Sequence, residues 1–246
     1  ARTGPNAARA MYLMYRIIAD ELRAVGMDSN CAPTVDVIGP DTHPFLRNRC
    51  YGADCARVVE IGRAVADGML AGGVLPVVKH MPGHGRATMD SHLDLPHVDA
   101  TPDQLQEVDF AAFRALNDLP MGMTAHLVYE ALDTAPATLS PTMMQVIRDD
   151  IGFDNLIMTD DISMKALQGT AAQNARAALD AGCDVALYCN APLAERVEVA
   201  KAAGEMSDAA QTRAMRALAM RTAPDDVDIS ALNAEFDALL GEAGHG

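Results

Sequence analysis

Three short apolar stretches of the chain end in reactive side chains: Val77-Val-Lys-His80, Met123-Thr-Ala-His126 and Leu156-Ile-Met-Thr-Asp-Asp161. Each stretch has the composition of a buried strand with its polar residues at the carboxyl end. Predicted helices of about 10 to 18 residues separate the strands, and this alternation indicates parallel βαβ units. In a (β/α) barrel the carboxyl ends of all strands converge on one mouth, where active sites form.

An open doubly wound sheet would show the same alternation of helices and strands. That fold usually carries a glycine-rich phosphate loop after an early strand, and no Gly-x-Gly-x-x-Gly occurs in the sequence. We therefore predict the α/β class and a TIM-type (β/α) barrel. We expect one catalytic domain over residues 1–246, with a helical tail over residues 192–246.

Hydrophobic periodicity and turn residues place the individual elements. The predicted strands are 27–33 with Val35, 74–78, 121–125, 155–159 and 183–189. The predicted helices are 7–25, 55–71, 102–117 with Thr101 as its N-cap, 141–150, 172–181 and the tail 192–240. A closed barrel has eight strands and this chain opens on a helix, so we expect the barrel to lack its N-terminal strands.

Composition excludes several classes of function. The formal net charge of −15 disfavours contact with nucleic-acid phosphates and anionic membranes. No stretch approaches the roughly 20 apolar residues of a membrane span, and residues 1–9 lack the order of a secretory signal. The five cysteines show no Cys-x-x-Cys spacing, which is typical of small buried residues in a reducing compartment. We expect a cytoplasmic protein that binds neither nucleic acid nor membrane.

The densest group of reactive residues is Lys79-His-Met-Pro-Gly-His-Gly85, followed by Asp90-Ser-His92. Four of the seven histidines lie between His80 and His97. A loop rich in glycine and proline that directly follows a strand displays its side chains rather than burying them. The cluster is therefore predicted to be functional.

Two chemistries remain open for this loop. One is metal binding, for which imidazole and carboxylate are suitable ligands; the candidate ligands are His80, His84, Asp90 and His92. The other is acid/base catalysis. Residues two apart in an extended segment project to the same side, so Asp90 can orient the imidazole of His92 as a proton donor near neutral pH.

A second site is predicted at Thr159-Asp-Asp-Ile-Ser-Met164. Asp161 or Ser163 is expected to cap the next helix. Asp160 lies closer to the strand, points into the mouth and is a candidate nucleophile. A carboxylate on one side of the substrate and a proton donor on the other is what glycoside hydrolysis requires. Arg49, in the loop after the first strand, offers a fork of donors for two hydroxyls.

At these residues the sequence resembles the glycoside hydrolase family 3 β-N-acetylglucosaminidases of bacterial cell-wall recycling. The matching stretches run in family order: Asn30-Cys-Ala-Pro-Thr-Val-Asp36, Arg49-Cys-Tyr-Gly52, Lys79-His-Met-Pro-Gly-His-Gly85, Asp90-Ser-His92, Met123-Thr-Ala-His126 and Thr159-Asp-Asp-Ile-Ser-Met164. The combination covers roughly residues 10–190 and is far more specific than any single motif.

The resemblance implies a retaining, two-step glycosidase. Asp160 would form the glycosyl-enzyme, and His92, paired with Asp90, would act as general acid and then as base. Arg49, Lys79 and His80 would bind hydroxyls of the N-acetylglucosamine ring. The implied substrate is the saccharide N-acetylglucosaminyl-1,6-anhydro-N-acetylmuramic acid, with or without its peptide, in the cytoplasm. No metal and no organic cofactor is implied.

The resemblance also implies an earlier strand that ends in Asp-x-Glu-Gly-Gly-Arg, whose aspartate binds the sugar. Nothing in residues 1–246 matches that segment. Three alternatives stay open beside the family-type mechanism: a metal-dependent hydrolase, a non-catalytic sugar-binding descendant, and a glycosidase whose nucleophile is the acetamido group of the substrate.

Overall fold

The computed structural model describes the backbone of residues 4–243 and the side chains of residues 4–241. The ends of the predicted domain and tail, residues 1–3 and 244–246, lie outside that range. The α-helices are α1 Ala7–Ala24, α2 Pro44–Arg47, α3 Cys55–Ala71, α4 Pro102–Gln104, α5 Phe110–Arg114, α6 Pro141–Gln145, α7 Ala171–Ala181, α8 Leu193–Ala203, α9 Asp208–Ala219 and α10 Ile229–Ala243. The strands are β1 Ser29–Asn30, β2 Leu75–Met81, β3 His97–Val98, β4 Met121–Thr124, β5 Val128–Tyr129 and β6 Leu156–Met158.

The main sheet is parallel, with the strand order β1-β2-β4-β6. A single parallel bridge from Met158 to Val185 adds a fifth segment at its edge. A separate parallel pair, β3 with β5, joins the segments that follow β2 and β4. The carboxyl ends of β2, β4 and β6 therefore lie side by side, as the barrel prediction requires.

The two faces of the sheet are both covered. Val78 and Ile157 pack with Phe113 of α5 and other residues of the outer helices. Alternate residues, such as Val77 and Met123, point to the opposite face and pack in one cluster with Ala217 of α9. Because neighbouring strand residues face opposite sides, burial on both faces explains why the strands are almost continuously apolar.

Capping side chains begin two of the helices, and Thr101 does so as the sequence predicts. Thr101 caps α4 in a capping box with Gln104, and Thr170 caps α7 in the same way with Gln173. Two helices continue through a π-helical turn, at Leu105–Asp109 and Val146–Asp150. The predicted helices are therefore confirmed over residues 102–114 and 141–150, with a π-helical middle turn in the first and a π-helical final turn in the second. The first ends at Arg114, three residues before its predicted end.

Two predicted strands differ from the structure. The strand predicted over 183–189 forms only one bridge, because side chains replace the usual carbonyl acceptors. Leu187 N–H donates to the hydroxyl of Thr159, and Cys189 N–H donates to the carboxylate of Asp161. The strand predicted over 27–33 is reduced to Ser29–Asn30, because Ala32 N–H turns back to Asn30 O.

The prediction of a wholly helical tail is wrong. Gly204, with φ +68°, ends α8, and Ser207 caps α9 after a short non-helical link. A second non-helical link contains Pro224 and joins α9 to α10, where a proline interrupts helical hydrogen bonding. Within residues 4–243, no helix has the combination of length and apolar character that a bilayer crossing needs.

Candidate active site

Asp160 lies two residues beyond β6, at the carboxyl end of the sheet. Its carboxylate accepts a hydrogen bond from Asp161 N–H at 2.8 Å. Its Oδ2 lies 3.9 Å from His80 Nε2, and its side chain keeps 21% of its surface exposed. The carboxylate is thus held by its neighbours while one side remains open to the mouth.

The charges around Asp160 keep it ionised. Burial raises the pKa of this carboxyl. The nearby His80 and His126, the hydrogen bond from Asp161 N–H and the charge of Lys79 together outweigh burial and hold the pKa below its ordinary value of 3.8. Asp160 is therefore an anion throughout the neutral range, as a nucleophile must be.

Asp36 organises the histidines, a role that the sequence analysis did not assign. Its carboxylate is completely buried and accepts hydrogen bonds from His80 Nδ1 at 2.7 Å and from His84 N–H at 2.7 Å. Asp36 follows the Val35 strand position, so the pattern of a polar residue after an apolar strand could have indicated it. The contact fixes His80 so that its other nitrogen faces Asp160.

His84 is a structural member of this network. It is 3% exposed, its Nδ1 has no partner within residues 4–243, and its Nε2 lies 3.3 Å from Ser91 Oγ. Burial, together with the neighbouring charge of His80, lowers its pKa to about 4. His84 is therefore neutral at neutral pH.

This lowered pKa predicts an acid-sensitive fold. In the unfolded chain His84 takes up a proton near pH 6.5, whereas in the folded protein it does so near 4. Stability from this residue is therefore present above pH 6.5 and lost as pH falls through 4, by about 3 kcal/mol. We expect His84→Gln to flatten the dependence of unfolding free energy on pH between these values, as measured by urea titration.

The exposed His97 supplies the control. His97→Gln is the same substitution at an exposed histidine, so it separates the effect of the buried position from that of the substitution itself. An equal slope in both variants would contradict the assignment to His84.

The base of the loop is fixed by close backbone packing. A Cβ at Gly85 would lie 1.9 Å from Val37 O, so only glycine fits this position. Thr42 donates its hydroxyl to Gly85 O, and Tyr129 donates its hydroxyl to Gly83 O at 2.5 Å. The glycines of the motif therefore place the loop rather than loosen it.

We expect Gly85→Ala to lower the free energy of unfolding by about 3 kcal/mol or more, because the backbone of Val37 cannot move away. Gly39→Ala is the matched control, since the nearest atom to its Cβ would be Thr42 Oγ1 at an ordinary 3.9 Å. Urea unfolding of both variants checks this. Equal stability would show that the segments at Val37 and Gly85 can separate freely.

The predicted pair of Asp90 and His92 forms. Asp90 Oδ1 accepts from His92 Nδ1 at 2.8 Å and from His92 N–H at 3.0 Å. The geometry is a turn, with Leu93 N–H donating to Asp90 O, and not the extended segment on which the prediction relied. His92 is 51% exposed, and within residues 4–243 no hydrogen bond or ion pair joins it to Asp160.

The remaining predicted residues line the same region. Lys79 is half-buried, and burial with the nearby charge of Arg49 lowers its pKa. The Arg49 guanidinium lies 5.2 Å from the centroid of the Phe45 ring. That ring in turn makes an edge contact with His92 at 5.1 Å between centroids. Arg49 and the acid/base pair are therefore connected through one aromatic side chain.

His126 and Asp161 have supporting roles. His126 Nε2 donates to Asp161 O at 3.1 Å, and its Nδ1 lies 2.7 Å from Thr138 Oγ1. Burial lowers the pKa of His126. Asp161 accepts from Ser163 N–H at 3.0 Å, so it caps a turn where a capped helix was predicted.

The metal alternative can be compared with this geometry. Within the described part of the chain, no three His, Cys, Asp or Glu side chains are grouped closely enough to hold a metal ion. The four candidate ligands belong to two separate hydrogen-bonded groups. His80 and His84 hydrogen-bond to Asp36, and His92 hydrogen-bonds to Asp90.

A parallel sheet with these groups at its carboxyl edge is the arrangement of a (β/α) barrel with a candidate active site at its mouth. The chain belongs to the family described as "Glycosyl hydrolase family 3 N terminal domain", which matches residues 4–220. The prediction of a TIM-type barrel and of this family is confirmed.

Individual proteins similar to this chain also belong to families of hexosaminidases and N-acetylglucosaminidases by name. The "Beta-hexosaminidase" of Alkalilimnicola ehrlichii is 38% identical over 194 residues, which cover 76% of this chain and 56% of that protein. The solved structure of NagZ from Neisseria gonorrhoeae in complex with N-trifluoroacetyl-D-glucosamine has a TM-score of 0.76 at 30% identity, covering 96% of this chain and 70% of that one. A family 3 β-N-acetylglucosaminidase from Paenibacillus gives a TM-score of 0.82 at 27% identity, over 96% of this chain and 49% of that one. The chain spans about half the length of the curated relatives it matches.

Proposed function

We propose that the protein is a retaining β-N-acetylglucosaminidase with Asp160 as its nucleophile. The observation that carries the proposal is the carboxylate of Asp160, which is ionised, partly exposed and held at the strand end beside His80. The names of the relatives supply the sugar, since one is a β-N-acetylglucosaminidase and another binds an N-acylated glucosamine.

In the first step, an oxygen of Asp160 attacks the anomeric carbon while the glycosidic bond breaks. Protonated His92 gives its proton to the leaving oxygen, and Asp90 stabilises the imidazolium. In the second step, neutral His92 takes a proton from water, which displaces Asp160 and releases the sugar with its original configuration. The chemistry needs no metal or organic cofactor.

The sugar ring is held by groups that surround Asp160. Lys79 and His80 come from the end of β2, and Arg49 comes from the loop that precedes α3. These residues donate hydrogen bonds to ring hydroxyls, and the charge of Lys79 adds to the field that keeps Asp160 ionised. The natural substrate is proposed to be N-acetylglucosaminyl-1,6-anhydro-N-acetylmuramic acid, with or without peptide, hydrolysed in the cytoplasm during peptidoglycan recycling.

Two measurements on the full-length protein test this proposal. The first is nitrophenol release from 4-nitrophenyl β-N-acetylglucosaminide with and without chelator, with the first-formed anomer read by NMR. We expect chelator-insensitive turnover and a β product. Loss of activity with chelator would favour the metal-dependent hydrolase, and folded protein without turnover would contradict the proposal.

The second measurement identifies the nucleophile. A 5-fluoro glycosyl fluoride of N-acetylglucosamine slows the second step, so a covalent sugar should accumulate on the peptide that contains Asp160. Turnover of the nitrophenyl glycoside without any adduct would favour the acetamido group of the substrate as the nucleophile.

A further inference from the structure

Phe45 is an aromatic side chain beside the proposed acid/base pair, and the mechanism above does not use it. Its side chain is 39% exposed, whereas three of the other four phenylalanines are buried in the core. Its ring contacts two side chains, those of His92 and Arg49. Both of these residues have a role in the proposed function, so the ring of Phe45 lies between two parts of the proposed machinery.

The backbone of Phe45 is held by its helix. α2 begins with Pro44, whose ring fixes its own φ angle, and His43 Nδ1 accepts from Phe45 N–H at 3.3 Å. Leu46, the next residue, is 2% exposed and anchors the helix in the protein. The side chain of Phe45 therefore extends from a fixed position.

The segment before α2 is also bonded to the loop that carries His92. His43 N–H donates to Ala87 O at 2.9 Å. Thr42 donates its hydroxyl to Gly85 O. These two bonds join the segments into one unit, so the approach of their aromatic side chains is built into the fold.

The two rings make an edge contact. The centroids of Phe45 and His92 lie 5.1 Å apart with an angle of 76° between the planes, an arrangement that aromatic pairs favour. Asp90 Oδ1 holds His92 Nδ1 at 2.8 Å, but a single hydrogen bond leaves the imidazole free to tilt. Phe45 supplies the second contact that fixes its orientation. Among the described residues nothing hydrogen-bonds to His92 Nε2, so this nitrogen is open to a substrate.

The same ring also holds Arg49. The guanidinium lies 5.2 Å from the centroid of Phe45, within the range of a cation–π contact. The two centroid distances laid end to end place this guanidinium at most about 10 Å from the imidazole of His92. A sugar bound by Arg49 would therefore have His92 close beside it.

From these contacts we infer that Phe45 is a positioning residue, which holds the imidazole of His92 in the orientation that donates the proton. The inference rests on the proposed glycosidase function and adds a residue to its acid/base machinery. Phe45 acts through His92 and does not itself touch the reacting atoms.

Two substrates with different needs for acid test this role. Phe45→Ala should lower kcat/KM for an alkyl β-N-acetylglucosaminide about 5-fold, the effect of losing one aromatic pair contact. The value for the 4-nitrophenyl glycoside should change less than about 2-fold, because its first step needs little acid help. Phe45→Tyr should keep both values, since the ring remains. An equal loss with both glycosides overturns the inference, and so does a gain with the alkyl glycoside, which would mean that Phe45 restrains His92 in a resting position.

The His92→Ala background shows whether Phe45 acts through His92. In that background Phe45→Ala should have no further effect on the alkyl glycoside, because the group that it holds is gone. Met89→Ala is the matched control, since Met89 lies in the same loop as His92 and is also 39% exposed. It should keep wild-type kinetics. Equal losses from Phe45→Ala with and without His92, or an equal loss from Met89→Ala, would contradict the role of Phe45.

Nuclear magnetic resonance tests the contact without any substrate. The imidazole C–H signals of His92, assigned by their absence in His92→Gln, should show a nuclear Overhauser effect to the ring of Phe45. They should lose their ring-current shift in Phe45→Ala. If the wild-type protein hydrolyses neither glycoside, the glycosidase function fails, while these signals still decide whether Phe45 orients His92. Absence of the Overhauser effect in the wild type overturns the inference even if the enzyme is active.

Discussion

Asp160→Asn is expected to lower kcat for 4-nitrophenyl β-N-acetylglucosaminide by about 10⁴-fold or more, because an amide cannot form the glycosyl-enzyme. The fold should remain intact, since the amide oxygen can still accept the hydrogen bond from Asp161 N–H. Initial rates and a urea unfolding curve of the same preparation measure the two properties separately.

Asp161→Asn is the matched control for this substitution. Its amide oxygen can still accept from Ser163 N–H and Cys189 N–H, so we expect its kcat to stay within about 10-fold of the wild type. Asp160→Ala adds a second criterion, because azide should restore turnover and yield the α-glycosyl azide. Equal losses in Asp160→Asn and Asp161→Asn would remove Asp160 from its proposed role.

The second large effect is expected at His92. His92→Ala should lower kcat/KM by about 10² to 10⁴-fold for a glycoside with an alkyl leaving group, which needs a proton. With 4-nitrophenyl glycosides the first step needs little acid help, so a burst of nitrophenol should precede a slow second step. Stopped-flow absorbance measures the burst and the steady state together.

The chain offers a close control for His92. His97 Nδ1 pairs with Glu130 Oε1 at 3.0 Å, and both side chains are about half exposed, so this is a second histidine–carboxylate pair of similar geometry. His97→Ala should have wild-type kinetics. If the two alanine variants behave alike, the loss at His92 reflects packing rather than proton transfer.

The sequence predicted the parts of this site that follow from local patterns. A polar residue directly after an apolar strand placed Asp160 and His80 at one edge of the sheet, because parallel strands share a carboxyl edge. The pair of Asp90 and His92 also follows from spacing, although a turn rather than an extended segment brings the two together.

The remaining features depend on contacts between residues far apart in the chain. Asp36 hydrogen-bonds to His80 and His84, which lie more than 40 positions away in the sequence. The spacing of residues in a motif cannot predict a contact over such a separation. The fifth sheet segment lost its regular ladder because Thr159 and Asp161 supply side-chain acceptors. Strand propensity cannot show that a side-chain oxygen accepts a hydrogen bond in place of a backbone carbonyl.

The loop that carries His92 is attached at both of its ends. Ala87 O accepts from His43 N–H and Pro96 O accepts from Val128 N–H, each at 2.9 Å. Even with the Ser91–His84 contact broken, His92 can move no farther than about 14 Å from Pro96, the reach of four extended residues. In the proposed mechanism this attachment confines the imidazole to a small fixed volume around the ends of its loop, so proton delivery is a search within that volume.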